Sequence, residues 1–212
     1  MILASKPDWL SIFAFNIQKT QNLPYDWCEK ITKVTEKYSY KTILDGNSKT
    51  SLEVENSQIP VDIVTGQKIY KYLPWLVSLY ETELLNFSQR NFKRNLYKCN
   101  EIDDAININR ITGIGARYEW HLDTNPVTGL LFLDDFNENE GGALIFRNNG
   151  HVYSVKPRKG LFICFDARTI PHSVQSLTVN RARISVPMNY YTSASNSGRD
   201  AELNNYIKKK VQ

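Results

Sequence analysis

Three histidines occur in the chain, and two of them have surroundings suited to a metal ion. His121 is followed two positions later by Asp123 within ARYEWHLD, a run whose alternation reads as a β-strand. Side chains at i and i+2 of a strand leave the same face, so one ion can touch both. His172 follows Pro171 after several further strand-length runs, enough chain for a neighbouring strand to bring it back. Two imidazoles and one carboxylate on one side of an ion leave three coordination positions open, the arrangement associated with non-heme Fe(II) centres. A structural zinc would want four protein ligands, usually including thiolates. Cys28, Cys99 and Cys164 stand far apart in no C-x-x-C spacing, which argues against a zinc knuckle or a disulfide framework and for three reduced thiols in a cytosolic protein. The third histidine, His151, follows the hairpin-turn signal Asn148-Asn149-Gly150 and is expected at an exposed strand start, away from the chemistry.

The elements that must position these groups are short strands. From about Ala105 the apolar period is two, in the runs AININRIT, ARYEWHLD, VTGLLFLD, GALIFR, HVYSV, GLFICF, HSVQSLTV and RARISVPMNYYT, punctuated by Gly, Asn, Asp and Pro. Strands at this density, without helix-length crossovers, predict a mainly β chain with N-terminal helices, its core a double-sheet jelly roll (a double-stranded β-helix) or a small barrel rather than βαβ units. Upstream the period is helical. Trp27, Ile31, Val34 and Tyr38 predict a helix over residues 24–38 with Pro24 in its first turn, and a second begins near Pro74 and carries Leu76, Leu79, Tyr80, Leu84 and Phe87. The Asn/Ser-rich stretch from Asp45 to Gln58 reads as loops and edge strands, including a β-like piece from Ser51 to Val54. Residues 45–64 form the longest segment without a strong period and are expected to act as a lid. A last short helix is expected in RDAELNNYIKKK, with Lys208, Lys209 and Lys210 as its solvated end. The expected organisation is therefore one domain over residues 1–212: helical and loop support over 1–104, a jelly-roll core over 105–192 and a tail over 193–212.

Composition narrows the class. The 212 residues, 42% hydrophobic and 23% charged, suffice for one domain with a substantial core and exclude a disordered chain. No run of apolar residues is long enough to span a bilayer, and MILASKPDWLSIFAF lacks a basic leader, so a cytoplasmic protein is expected. A formal charge of +4 argues for nucleic acid only with a clustered patch. The one candidate is QRNFKRNLYK, with Arg90, Lys93, Arg94 and Lys98 at helical spacing, read as the charged face of a helix packed on the barrel. Asp134, Asp135, Glu138 and Glu140 read as a solvated hairpin turn, since they lack the spacing of a calcium loop.

Three stretches carry a family resemblance. ITGIGARYEWHLDTNPVTGLLFLDDFNENEGGALIF, VKPRKGLFICFDARTIPHSVQ and NRARISVPMNYY resemble the Fe(II)/2-oxoglutarate-dependent oxygenase superfamily, in particular its prolyl-hydroxylase-like branch, over about residues 105–192. The family's H-x-D falls on His121 and Asp123 and its distal histidine on His172; Gly141-Gly142 and Pro157 with Gly160 match its turns. The resemblance implies Fe(II), 2-oxoglutarate and O2 as cofactor and co-substrates. It also implies a basic residue after the distal histidine that holds the far carboxylate of 2-oxoglutarate. Arg181 and Arg183 both lie in that window, and Arg183 is favoured because Ser185 completes an R-x-S pattern. By alternation all three side chains face one way. The tyrosine that many relatives carry on the first core strand is Ile111 here, which leaves Asn107, Asn109 or Tyr118 to meet that carboxylate.

The implied reaction is hydroxylation of an unactivated C–H bond, with succinate and CO2 as co-products. Retention of Asp123 disfavours halogenation, since halogenating relatives replace that carboxylate with a small residue. Arg117 and Glu119 share the alternation phase of the ligands, and Thr124 and Asn125 follow them, so these four are the candidate substrate contacts. A small molecule or amino acid is favoured as substrate. A peptidyl prolyl hydroxylase is the alternative, ahead of a nucleic-acid demethylase or a non-catalytic jelly-roll binding module.

Overall fold

The strand-length runs from residue 105 onward fold as their alternation predicts. The computed structural model describes residues 6–45, 50–53 and 58–198, and within these each of the eight runs supplies one strand. They are β5 (Ile108–Thr112), β6 (Tyr118–His121), β7 (Val127–Phe132), β8 (Leu144–Asn148), β9 (His151–Val155), β10 (Leu161–Asp166), β11 (His172–Val174) and β12 (Ala182–Tyr191). Upstream lie β1 (Ile12–Asn16), β2 (Tyr40–Asp45), β3 (Gln58–Val64) and β4 (Tyr97–Lys98). The larger antiparallel sheet runs β1-β10-β7-β12-β5-β3-β2, with β4 beside β12, and the smaller runs β6-β11-β8-β9.

Burial on both faces explains why β7 and β10 read as nearly continuous apolar runs. Leu130, Phe132, Ile163 and Phe165 point between the sheets, where they meet Leu144, Phe146 and Val174 of the smaller one. Leu131, Leu133, Phe162 and Cys164 point the other way, into a second core under the helices. Those helices are α1 (Trp27–Tyr38), α2 (Gly66–Tyr72), α3 (Pro74–Leu79), α4 (Leu85–Phe92) and the short α5 (Ile102–Ala105). Trp27, Ile31 and Val34 of α1 and Leu76, Val77 and Leu79 of α3 are the side chains they bury there. The result is a jelly roll whose larger sheet is held stiff from behind, leaving its inner face to line a site.

Several upstream features depart from the sequence reading. The first helix starts at Trp27, because Pro24 sits in the preceding turn with its carbonyl accepting from the Trp27 N–H. The second starts at Pro74 as predicted, but passes through a π-wound turn at Tyr80–Leu84 before α4. Strands β1, β2 and β3 and helix α2 lie in a region read only as helices, loops and edge strands. The supposed helical basic face at residues 90–98 is broken. Lys93 takes a left-handed conformation (φ 51°) that ends α4, and Tyr97–Lys98 pairs with β12. Arg94 turns to Asp166, so these cations form no continuous patch. The expected C-terminal helix, with Lys208 to Lys210, lies outside the described residues, as do residues 46–49 and 54–57 of the expected lid; its last part, Gln58–Val64, is no lid but strand β3, paired with β2 and β5. The three cysteines are free, and no helix among the described residues is long and apolar enough to cross a membrane. His151 opens β9 at the surface after a turn with left-handed Asn149 and Gly150.

Candidate active site

Strand pairing brings the two histidines together. β6 and β11 are antiparallel neighbours, and His172 sits directly across from His121, with ring centroids 4.2 Å apart. Asp123 lies two residues beyond His121, its N–H donating to the Ala167 carbonyl, which ties the end of β6 to the segment after β10. The nearest oxygens of Asp123 lie 3.5 Å from His121 Nε2 and 3.8 Å from His172 Nε2. One donor atom from each residue falls within 4.8 Å of the others, a cluster able to hold one metal ion. Two donors bound at right angles about 2.1 Å from an ion sit roughly 3 Å apart, so small side-chain rotations close the set.

Both imidazoles are oriented for the task. Nδ1 of His121 lies 2.7 Å from the Glu119 carbonyl and Nδ1 of His172 3.0 Å from the Ile170 carbonyl. A carbonyl can only accept, so each Nδ1 carries the proton and each Nε2 presents its lone pair. Burial, with His121 beside it, pushes His172 down to about 4 from its ordinary 6.5. The folded chain thus keeps His172 neutral where the unfolded chain takes up a proton. Metal-free protein is accordingly expected to lose stability as pH falls from about 6.5 towards 4, by up to ~1.4 kcal/mol per pH unit. Urea titrations of the metal-free protein across that range check it, and His172→Gln should flatten the slope.

Beside the cluster a cavity of about 110 Å3 opens between the sheets. Ile111, Leu130, Leu144, Phe165 and Val174 form its apolar wall, and Arg183 and Ser185 of β12 also face it. Arg183 is 3% exposed, donating through Nε to the Gly142 carbonyl at 2.7 Å and through Nη1 to Ser185 Oγ at 3.2 Å. Its Nη2 is buried without a partner. Burial lowers Arg183 to about 10, partly offset by Asp134, so it remains a cation at neutral pH. A buried guanidinium with an unused N–H edge suits a carboxylate. Gly142 reaches it because φ there is +72° and an added Cβ would crowd Arg183 and Leu177, while one on Gly141 would strike the Ser176 carbonyl.

Arg181 does not join Arg183. It precedes β12, stacks on Phe136 at 4.1 Å, donates to the Asp135 carbonyl and faces Glu140 at 3.5 Å, outside the cavity lining. Strand alternation does not extend to a residue ahead of the strand. The acidic turn instead caps backbone: Asp134 accepts from the Ile184 N–H, Asp135 from that of Lys159, and Glu140 from that of Asn137. Asn109 and Tyr118 line the cavity, whereas Asn107 does not.

Of the four candidate substrate contacts, Glu119, Thr124 and Asn125 line the cavity and Arg117 does not. Arg117 is clamped by both carboxylate oxygens of Glu53 at 2.5 Å, and Glu53 also accepts from the Trp120 N–H. Residues 50–53 form a strap along the edge of β6. Leu52 N–H donates to the Trp120 carbonyl, Leu122 N–H to that of Thr50, and Ser51 Oγ to Glu119. Sequence reasoning assigned no role to Glu53, which sits in an aperiodic stretch, or to Thr128, whose hydroxyl donates to Asp123 Oδ2. The strand phase that turns Thr128, Leu130 and Phe132 inward was the available signal for Thr128.

Comparison with known proteins agrees with this geometry. Residues 106–191 match the sequence profile of the 2OG-Fe(II) oxygenase superfamily. A search of curated proteins finds no match. Among solved structures, an oxidoreductase of the 2OG-Fe(II) oxygenase family from Burkholderia pseudomallei superposes with a TM-score of 0.63 at 13% identity, covering 86% of each chain. SnoK, a non-heme alpha ketoglutarate dependent carbocyclase from nogalamycin biosynthesis, gives 0.59 at 12% identity over 96% of this chain and 89% of its own. A Pseudomonas putida prolyl-4-hydroxylase gives 0.51 at 16% identity over 87% and 94%. At such identities these likenesses speak for the fold. The sequence match points further: residues 106–191, the segment carrying His121, Asp123, His172 and Arg183, match the 2OG-Fe(II) oxygenase superfamily, whose members use Fe(II), 2-oxoglutarate and O2.

Proposed function

We propose that the chain hydroxylates an unactivated C–H bond of a small molecule or amino acid, with His121, Asp123 and His172 holding Fe(II) and Arg183 with Ser185 holding the far carboxylate of 2-oxoglutarate. The unused Nη2 of Arg183, buried beside the same cavity as the metal cluster, carries this reading. When bound, Fe(II) would bring 2-oxoglutarate and O2 together, O2 being the oxidant: one of its oxygen atoms would end in succinate as CO2 leaves, and the other in the hydroxylated product. The chain's own work is to orient and to exclude water. The two Nδ1–H bonds fix the imidazoles, the apolar wall keeps the pocket dry, and Arg183 sets the direction of the co-substrate.

The cavity suits the co-substrate in size. Its volume of about 110 Å3 is several times the roughly 10–15 Å3 that a single water needs, room for an organic acid of the size of 2-oxoglutarate. The substrate then meets the residues beside the cluster, Thr50, Glu119, Leu122 and Thr124, of which Thr124 has a buried hydroxyl without a partner. The strap at 50–53 narrows that side against a long peptide. We take residues 1–212 as one domain serving this pocket, and a cytoplasmic setting fits its three free thiols.

Anaerobic addition of Fe(II) and 2-oxoglutarate should give the weak visible charge-transfer band that requires both on one metal. A pooled screen of amino acids and metabolites, beside proline-containing peptides, should then find substrate-stimulated succinate release from the small molecules. Stimulation by peptides alone would overturn the small-molecule reading. With the substrate found, Glu53→Ala should raise its KM by about fivefold with kcat little changed, since a clamp of this kind is worth on the order of 1 kcal/mol.

A further inference from the structure

We infer that Asn125 and Thr128 are positioning residues that hold the Asp123 carboxylate so that a single oxygen, Oδ1, is offered to the metal. The inference rests on the proposed ligand set and concerns how one member of it is kept in place. Asn125 is 2% exposed and Thr128 4% exposed, unusual burial for two polar side chains beside a cavity. Their hydrogen bonds form a directed chain. The Asn125 amide spends one N–H on the Val127 carbonyl at 2.9 Å and the other on Thr128 Oγ1 at 2.8 Å. With its oxygen accepting from Asn125, the Thr128 hydroxyl has one proton left to give, and it goes to Asp123 Oδ2. Because a carboxylate accepts and an amide N–H donates, this order cannot be reversed without losing a bond.

The consequence lies in which oxygen is taken. Oδ2 is the oxygen nearer His172, at 3.8 Å, and Oδ1 is the one 3.5 Å from His121 Nε2. A hydrogen bond on Oδ2 lowers its basicity and resists rotation of the carboxylate about its last torsion, leaving Oδ1 as the better donor. Two-point attachment by the carboxylate would occupy a coordination position that a two-histidine, one-carboxylate site keeps for other ligands. The relay also sits on rigid ground. Thr128 lies in β7, between β10 and β12, with Phe165 and Asn189 as its cross-strand partners. Its β-branched side chain has few rotamers to choose from. Outer partners of metal ligands are commonly worth 10- to 100-fold in affinity.

The test compares Thr128→Val, which keeps the shape and removes the donor, with Thr128→Ser, which keeps the donor. The readout is equilibrium binding of Co(II) to metal-free protein, followed by the visible ligand-field spectrum of the bound ion, with folding checked by circular dichroism. Thr128→Val is expected to weaken Co(II) binding by about 10- to 100-fold and to alter the spectrum. Thr128→Ser should stay within about threefold of the parent, and Asn125→Ala, which frees the Thr128 proton to turn away, should fall between. Equal affinity and spectrum for Thr128→Val and the parent would overturn the inference, and so would equal losses in Val and Ser, which would mean a packing role. Should Thr128→Val fail to fold, the Asn125→Ala spectrum decides: unchanged, it overturns the relay. Asp123→Ala separates the two levels, since unchanged Co(II) binding there removes the ligand set itself and not only its support.

Discussion

Asp123→Ala is expected to abolish succinate formation from 2-oxoglutarate while the protein stays folded. Asp123 is the only carboxylate of the three-residue cluster, and the remaining imidazoles cannot supply the negative charge that offsets a divalent ion. The loss of metal affinity should exceed the 10- to 100-fold typical of removing an outer partner. Structure should survive because Asp123 belongs to neither apolar core and its backbone N–H bond to Ala167 does not depend on the side chain. His121→Ala and His172→Ala should likewise end turnover, although His172, packed edge-on against Phe165 at 4.9 Å, will leave a hole and cost more stability. Metal content of the purified variants and succinate release under saturating Fe(II) and 2-oxoglutarate give the answer. A folded Asp123→Ala protein that releases succinate near the parent rate would remove the ligand assignment.

What the sequence made legible follows from which structures have a short-range code. His121 and Asp123 were readable as a pair because strand alternation is local, and the eight core strands were readable because each run is bounded by its own turn residues. That His172 sits opposite His121 depends on a register between strands separated by β7 to β10; the family resemblance marked His172 as the distal histidine but carried no register. Alternation failed for Arg181 because the strand begins at Ala182. Strands β1, β2 and β3 lay in a region whose helical signals were stronger than its strand signals. Glu53 was invisible for a different reason: its partners Arg117 and Trp120 are far away in sequence, and a surface-like Glu in an Asn/Ser-rich stretch looks the same whether it clamps a strand or faces water. The lesson for the site is that first contacts with the metal are written in residue type and spacing, whereas the groups that orient them are written in tertiary packing.

Arg183→Met should separate stability from function in opposite senses. In the metal-free protein Arg183 is a desolvated cation whose Nη2 has no partner, so the fold bears part of a charge-burial cost that a bound carboxylate would offset. Removing the guanidinium ends that cost but leaves the Gly142 carbonyl without its donor, a loss of about 1 kcal/mol, so chemical denaturation should shift little. Co-substrate binding should collapse. Truncating one partner of a buried charge pair costs on the order of 2 to 5 kcal/mol, or roughly 30- to 5,000-fold in the 2-oxoglutarate requirement. The parent protein should also gain thermal stability from 2-oxoglutarate, about 2.7 kcal/mol at a hundred times its Kd, and Arg183→Met should lose that gain. Arg183→Lys keeps a charge but loses the planar fork, and should recover only part of the affinity. Arg181→Ala, whose side chain rests on Phe136 outside the cavity, should leave the 2-oxoglutarate requirement within about threefold of the parent. If Arg181→Ala instead raises that requirement more than Arg183→Met does, the anchor moves to Arg181 and Ser185 is left as a buried strand residue that binds no co-substrate.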